Sequence, residues 1–165
     1  MATPPTDKQL LDILRVEAKM PDDIGHIICG QLDPPFIFAL QITADHSRVT
    51  IPSIRLVGEV AICWGDGQTQ YIDQNGPVSH EYAAPGTYTA WMRGHITGLS
   101  FCDMDSLVDI SQWGCVRLTR GRGSFRGCRN LLITAEDILD VSQATDLSWM
   151  FSGCKKSTLT HVSGM

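Results

Sequence analysis

A chain of 165 residues is long enough for one domain or two small ones, and a net charge of −5 gives it no general attraction for nucleic acid. No run approaches the ~18 apolar residues of a membrane span. The N-terminal stretch lacks a basic region followed by an apolar segment and a small-residue cleavage site, so no secretory export is expected.

The chain opens with an extended Met1-Ala2-Thr3-Pro4-Pro5 lead. Thr6-Asp7-Lys8-Gln9 then fits a capping box, in which the Thr6 hydroxyl accepts from the Gln9 amide and the Gln9 side chain reaches back. Leu10, Leu11, Leu14 and Ala18 recur at helical spacing, widened by Ile13 and Val16, and Pro21 ends the helix. A helix of about fourteen residues is marginal alone in water. It either docks on its own domain or serves as an arm, with Leu10 and Leu14 against a neighbour.

Phe36 to Thr43 reads as a strand after the Pro34-Pro35 break. Arg48 to Ile51 is the next, closed by Pro52. Ile54 to Val57 and Glu59 to Trp64 follow, with Gly58 as a break or bulge between them. The polar stretch from Gln68 to Pro77 predicts short or altered middle strands. Thr87 to Arg93 alternates clearly, and residues 95–101 either extend the sheet or leave it.

Beyond residue 100 the chain repeats itself. Leu107-Val108-Asp109-Ile110-Ser111-Gln112 returns as Ile138-Leu139-Asp140-Val141-Ser142-Gln143, 31 residues on. Ser124-Phe125-Arg126-Gly127-Cys128-Arg129 returns as Met150-Phe151-Ser152-Gly153-Cys154-Lys155, 26 residues on. Such a period predicts a solenoid whose units stack on neighbours. Two units are fewer than the ~3 a free array needs, so this one should lean on the sheet or on another subunit.

Trp64-Gly65-Asp66-Gly67, followed by His80-Glu81-Tyr82 and Pro85-Gly86-Thr87-Tyr88, resembles a PKD-type immunoglobulin-like domain. That resemblance covers residues 36–100 and implies a β-sandwich of ~7 short strands. The repeated units resemble the leucine-rich-type repeats of BspA-like bacterial surface proteins, where F-x-G-C segments follow a D-[IV]-S segment. Such repeats often follow a PKD-like domain in bacterial and bacteriophage proteins, and here the order is the same over residues 36–160.

The candidate sites divide between chemistry and structure. Asp66, with Asp73 nearby, has too few acidic companions for calcium and reads as a turn residue. His80 and Tyr82 have no nucleophile or carboxylate beside them in a known motif and read as a structural corner. The six cysteines (Cys29, Cys63, Cys102, Cys115, Cys128, Cys154) form no C-x-x-C pair. Their even number would allow disulfides in an exported protein; without export, buried reduced thiols are expected, with Cys128 and Cys154 at matching repeat positions.

Arg117, Arg120, Arg122, Arg126 and Arg129 form the strongest charge cluster, with no acid between residues 117 and 129. A solvated face is the default; an acidic protein partner ranks above a glycan or nucleic acid, because only Phe125 offers an aromatic platform. Trp113 and Trp149, near the repeat junctions, either fill the core or stack on a sugar or partner.

The expected architecture is mainly β: an N-terminal arm and helix over residues 1–33, a PKD-like sandwich over 34–100 and a short repeat segment over 101–165. The expected function is non-enzymatic, with no catalytic residue, cofactor or metal. The order of segments and the missing export signal point to a bacteriophage virion component, either a capsid decoration protein or a tail or fibre protein. It would contact shell or tail subunits and form a homo-oligomer, with a host-surface receptor as a further partner and neither nucleic acid nor membrane involved. The alternative is a bacterial cell-surface adhesin or glycan-binding module.

Overall fold

The computed structural model describes residues 33–155, and within them the fold is mainly β, with no helix. The expected helix, with Leu10 and Leu14, lies outside the described residues.

Seven strands form one open sheet: β1 (Phe36–Ile42), β2 (Arg48–Cys63), β3 (Thr69–Ile72), β4 (Gly76–Glu81), β5 (Gly86–Ser100), β6 (Leu107–Gln112) and β7 (Leu132–Ile133). The order is β3-β2-β5-β1-β6-β7, with β4 also paired to β2. All pairings are antiparallel except β6 with β7.

β1 shows why these residues choose a strand. Phe36, Phe38, Leu40 and Ile42 point one way and are almost wholly buried, whereas Ile37, Ala39 and Gln41 alternate with them. Buried Arg93 on β5 pins the entry to this strand, donating Nε–H and Nη2–H to the Asp33 carbonyl at 3.2 and 3.1 Å.

The strand end expected at Pro52 does not occur, and Gly58 marks a bulge, one of the two outcomes expected there. β2 runs through both, and the ladder shifts register at each place, between Ile51 and Ile54 against β4 and between Val57 and Ala61 against β5. Proline is tolerated at such a bulge because no ladder hydrogen bond is asked of it there. The bulges let one long strand serve two neighbourhoods. Its first half pairs with β4 and the end of β5; its second half pairs with β3 and the middle of β5. The polar stretch expected to hold short strands contains β3, of four residues, and the start of β4.

After β5 the chain winds through three successive coils. Arg117 N–H donates to Ile96 O and Phe101 N–H to Ser124 O, which ties the first coil to the second. Gly121, Gly123, Phe125 and Gly127 donate in turn to Asp146, Ser148, Met150 and Ser152, which ties the second to the third. The step of two residues on both sides is that of a parallel ladder.

Two features differ from the sequence expectation. The first coil, Phe101-Cys102-Asp103-Met104, is a third copy of the F-x-G-C turn. Asp103 stands at φ 57°, where Gly127 has 73° and Gly153 has 81°. Moreover, the two D-[IV]-S segments do not stack on each other. Asp109 and Ile110 pair with Leu132 and Ile133, while Asp140 bridges to Arg117.

One apolar cluster runs without a break across residue 100. An aromatic column carries it from sheet to coils. Phe101 stacks on Phe125 with centroids 5.8 Å apart, and Phe125 on Phe151 at 5.3 Å; Phe38 meets Phe101 edge-on at 5.5 Å.

Candidate functional site

The Trp-Gly-Asp-Gly turn and the His-x-Tyr corner meet between β2 and β4. His80 Nε2–H donates to Asp66 Oδ2 at 2.7 Å, with only 8% and 12% of the two side chains exposed. Asp66 Oδ1 also accepts from the Gln68 amide at 3.0 Å, so the carboxylate closes its own turn. The Trp64 indole lies parallel to the His80 ring at 4.7 Å and 5°, and Tyr82 stands edge-on to it at 4.6 Å. Tyr82 Oη–H donates to the Trp64 carbonyl at 2.8 Å. Burial, with Asp66 nearby, pushes the Tyr82 phenol well above its usual range. The imidazole is covered by aromatic rings, and its resolved partner is a carboxylate that is itself held by the backbone. The arrangement fixes a corner.

The cysteines also serve the fold. Cys128 Sγ–H donates to the Phe101 carbonyl and Cys154 Sγ–H to the Phe125 carbonyl, each at 3.0 Å. Burial pushes the Cys128 thiol up to about 12 and raises Cys115 and Cys154 as well. A protonated thiol is a small apolar group with one weak donor, which adds a second bond to a carbonyl that already accepts a turn amide, that of Met104 at Phe101 and that of Cys128 at Phe125. Among the described residues, Cys102, Cys115 and Cys128 are free thiols. No group of three or more His, Cys, Asp or Glu side chains converges among those residues.

The arginines separate. Arg117 reaches Asp33 at 3.0 Å and Asp140 at 3.7 Å, so it ties the entry of β1 to the third coil. Arg120 and Arg129 are exposed and line neither of the two clefts described here. Arg122 and Arg126 come together. With Ser100, Cys102, Gly123 and Trp149 they line a cleft of about 500 Å³; the nearest carboxylates belong to Asp103, which accepts from Cys102 Sγ–H at 3.3 Å, and to Asp146. Arg122 is 70% exposed and lies 4.0 Å from Asp146, a pairing that contributes little at such exposure.

Trp149 is the unexpected member. It is 63% exposed and holds φ 62°, a left-handed conformation that bulky residues avoid. The ladder places Gly123 one rung from it, and Gly123 has φ 64°. Trp113, by contrast, is buried against Phe36 and Phe125. A larger cleft of about 770 Å³ lies between the β1–β2 turn and the first coil, where His46 and Arg48 share the walls with Asp103 and Asp105. Sequence reasoning named each of the residues Arg122, Arg126 and Trp149 but not their meeting, which depends on the register between coils.

The chain matches no family model, and no curated protein or solved structure aligns with it.

Proposed function

We propose that this chain is a non-enzymatic structural protein of a bacteriophage virion, a capsid decoration protein or a tail or fibre component that works through protein–protein contacts. In this reading residues 34–100 carry a PKD-like strand arrangement within the open sheet, and residues 101–165 a short leucine-rich-type repeat. The helix expected within residues 1–33 is the docking arm, with Leu10 and Leu14 against a shell or tail subunit.

The observation that carries the reading is the exposed apolar surface of the last described coil. Ile138 is 64% exposed and sits on the same coil as half-buried Leu139, Leu147 and Phe151. A coil buries its apolar face on the next unit, and contiguous exposed apolar surface marks a joining site. Repetition of such a joint around a symmetry axis gives a closed oligomer.

Quantitative mass spectrometry of purified virions tests this. The protein is expected in fixed proportion to the major shell protein. Absence from particles would overturn the reading.

A second reading, a bacterial cell-surface adhesin or glycan-binding module, is favoured by the cleft at Trp149. Glycan binding by the isolated chain, together with absence from particles, would put it first.

A further inference from the structure

From the cleft of Trp149, Arg122 and Arg126 we infer a binding site for an anionic sugar residue, one bearing a carboxylate or a sulfate group. The inference rests on the glycan-binding reading and deepens it. It holds equally for a virion protein that touches a host surface.

Three observations combine. First, the tryptophan is out of place for packing. The residue is 63% exposed, whereas Trp64, Trp91 and Trp113 are buried. It also occupies a left-handed position where its ladder neighbour is Gly123. A strained backbone carrying an exposed aromatic ring is a feature kept at ligand sites. Second, the two arginines line the same cleft, four residues apart on the second coil, and both are exposed. Guanidinium groups are planar forks that match the two oxygens of a carboxylate or sulfate. Third, the cleft of about 500 Å³ falls in the size range of small-ligand sites, and Ser100 adds a hydroxyl for hydrogen bonding.

Flat aromatic face, paired guanidinium groups and a hydroxyl together suit a sugar ring with an acidic substituent. The ring stacks on the indole, and the acidic group meets Arg122 and Arg126. A nucleic acid would need a longer positive track and further aromatic platforms, and the net charge of −5 opposes it.

The test uses the full chain and follows the indole signals by NMR during titration. Four probes are compared: a galacturonate trisaccharide, a sulfated heparin disaccharide, neutral lactose and a short single-stranded oligonucleotide. One or both acidic sugars should shift the Trp149 signal, and the preferred one identifies the acidic group. Lactose should bind at least tenfold more weakly. Trp149→Gly should lose binding at least tenfold while the melting temperature stays level or rises, because the ladder-neighbouring position on the second coil is already glycine. Arg126→Gln and Arg122→Gln should each weaken acidic-sugar binding several-fold. Arg55→Gln removes the same charge from the sheet, outside the cleft, and should change nothing.

Lactose binding as tightly as the acidic sugars, with no effect of Arg126→Gln, would overturn the anionic assignment and leave the glycan reading standing. Binding that survives Trp149→Gly, tighter binding of the oligonucleotide, or no sugar binding at all would overturn the site itself.

Discussion

The ring of Phe151 lies 5.3 Å from that of Phe125 at an interplanar angle of 7°, so the last described coil is held to its predecessor by a near-parallel aromatic stack. Phe125 is fully buried and Phe151 half-buried. Phe125→Ala should therefore destabilise the protein by about 3–5 kcal/mol, the usual range for emptying a buried Phe site. Phe151→Ala should cost clearly less. Urea unfolding midpoints of the two variants check the order, and an equal loss would mean that the column does not end at Phe151.

Position 103 makes a prediction of opposite sign. Asp103 bears the left-handed conformation that Gly127 and Gly153 bear in the next coils. Asp103→Gly should be neutral or stabilising, by up to about 1 kcal/mol, because the left-handed strain falls away. Gly127→Ala should destabilise, since φ is 73° and the added Cβ would run into the Asp103 carboxylate. Thermal unfolding of the two variants separates them.

The corner of Trp64, His80 and Tyr82 depends on a buried hydrogen bond. Tyr82→Phe leaves the Trp64 carbonyl without this donor and should cost about 1–3 kcal/mol. His80→Ala removes the ring stacked on Trp64 and the partner of Asp66 together, and should cost at least as much. Neither substitution should weaken sugar binding, which calorimetry on the folded variants would check.

Stability should fall in alkali. Cys128 ionises near 12 in the fold against an ordinary 9.0, and Tyr82 is raised above its ordinary 10.0. Both groups lose protons more readily in the unfolded chain. Their contribution is fully present below pH about 9 and is lost as pH rises toward 12 and beyond. Urea midpoints should decline through that window, and less steeply in Cys128→Ala. Access separates the thiols further: labelling at pH 8 should leave buried Cys128 and Cys115 untouched in the native protein, while half-exposed Cys102, its own thiol raised by burial and by Asp103, reacts slowly.

Much of the sheet could be read directly. β1 and the outer part of β5 announce themselves because one face is buried and the other is not, so Phe36, Phe38 and Leu40 alternate with less buried neighbours. Pro52 misled, and Gly58 left a break and a bulge both open, because composition cannot tell a strand end from a bulge; the difference lies in what the neighbouring strands do. The first coil was hidden because Asp103 and Met104 replace the glycine and cysteine of its two successors. Their backbone geometry is shared, but their chemistry is not. The D-[IV]-S segments matched as letters yet face different partners, since an offset of 31 residues is not the spacing of these coils. The cleft depended on that same spacing. Nothing in the local sequence around Trp149 indicates that Arg126 lies across from it.

The ladder between coils also determines how the molecule would yield to force. Gly121, Gly123, Phe125 and Gly127 bond to the third coil one after another along a single edge. A pull on the C-terminal side would load these bonds in sequence and peel them like a zip. β1, flanked on both sides by β5 and β6, would instead have to shear many bonds at once. Stretching should therefore begin with low-force steps. The first frees the 26 residues that separate Phe125 from Phe151, about 90 Å of chain, and the next the 24 between Phe101 and Phe125. The sheet, meanwhile, keeps its grip.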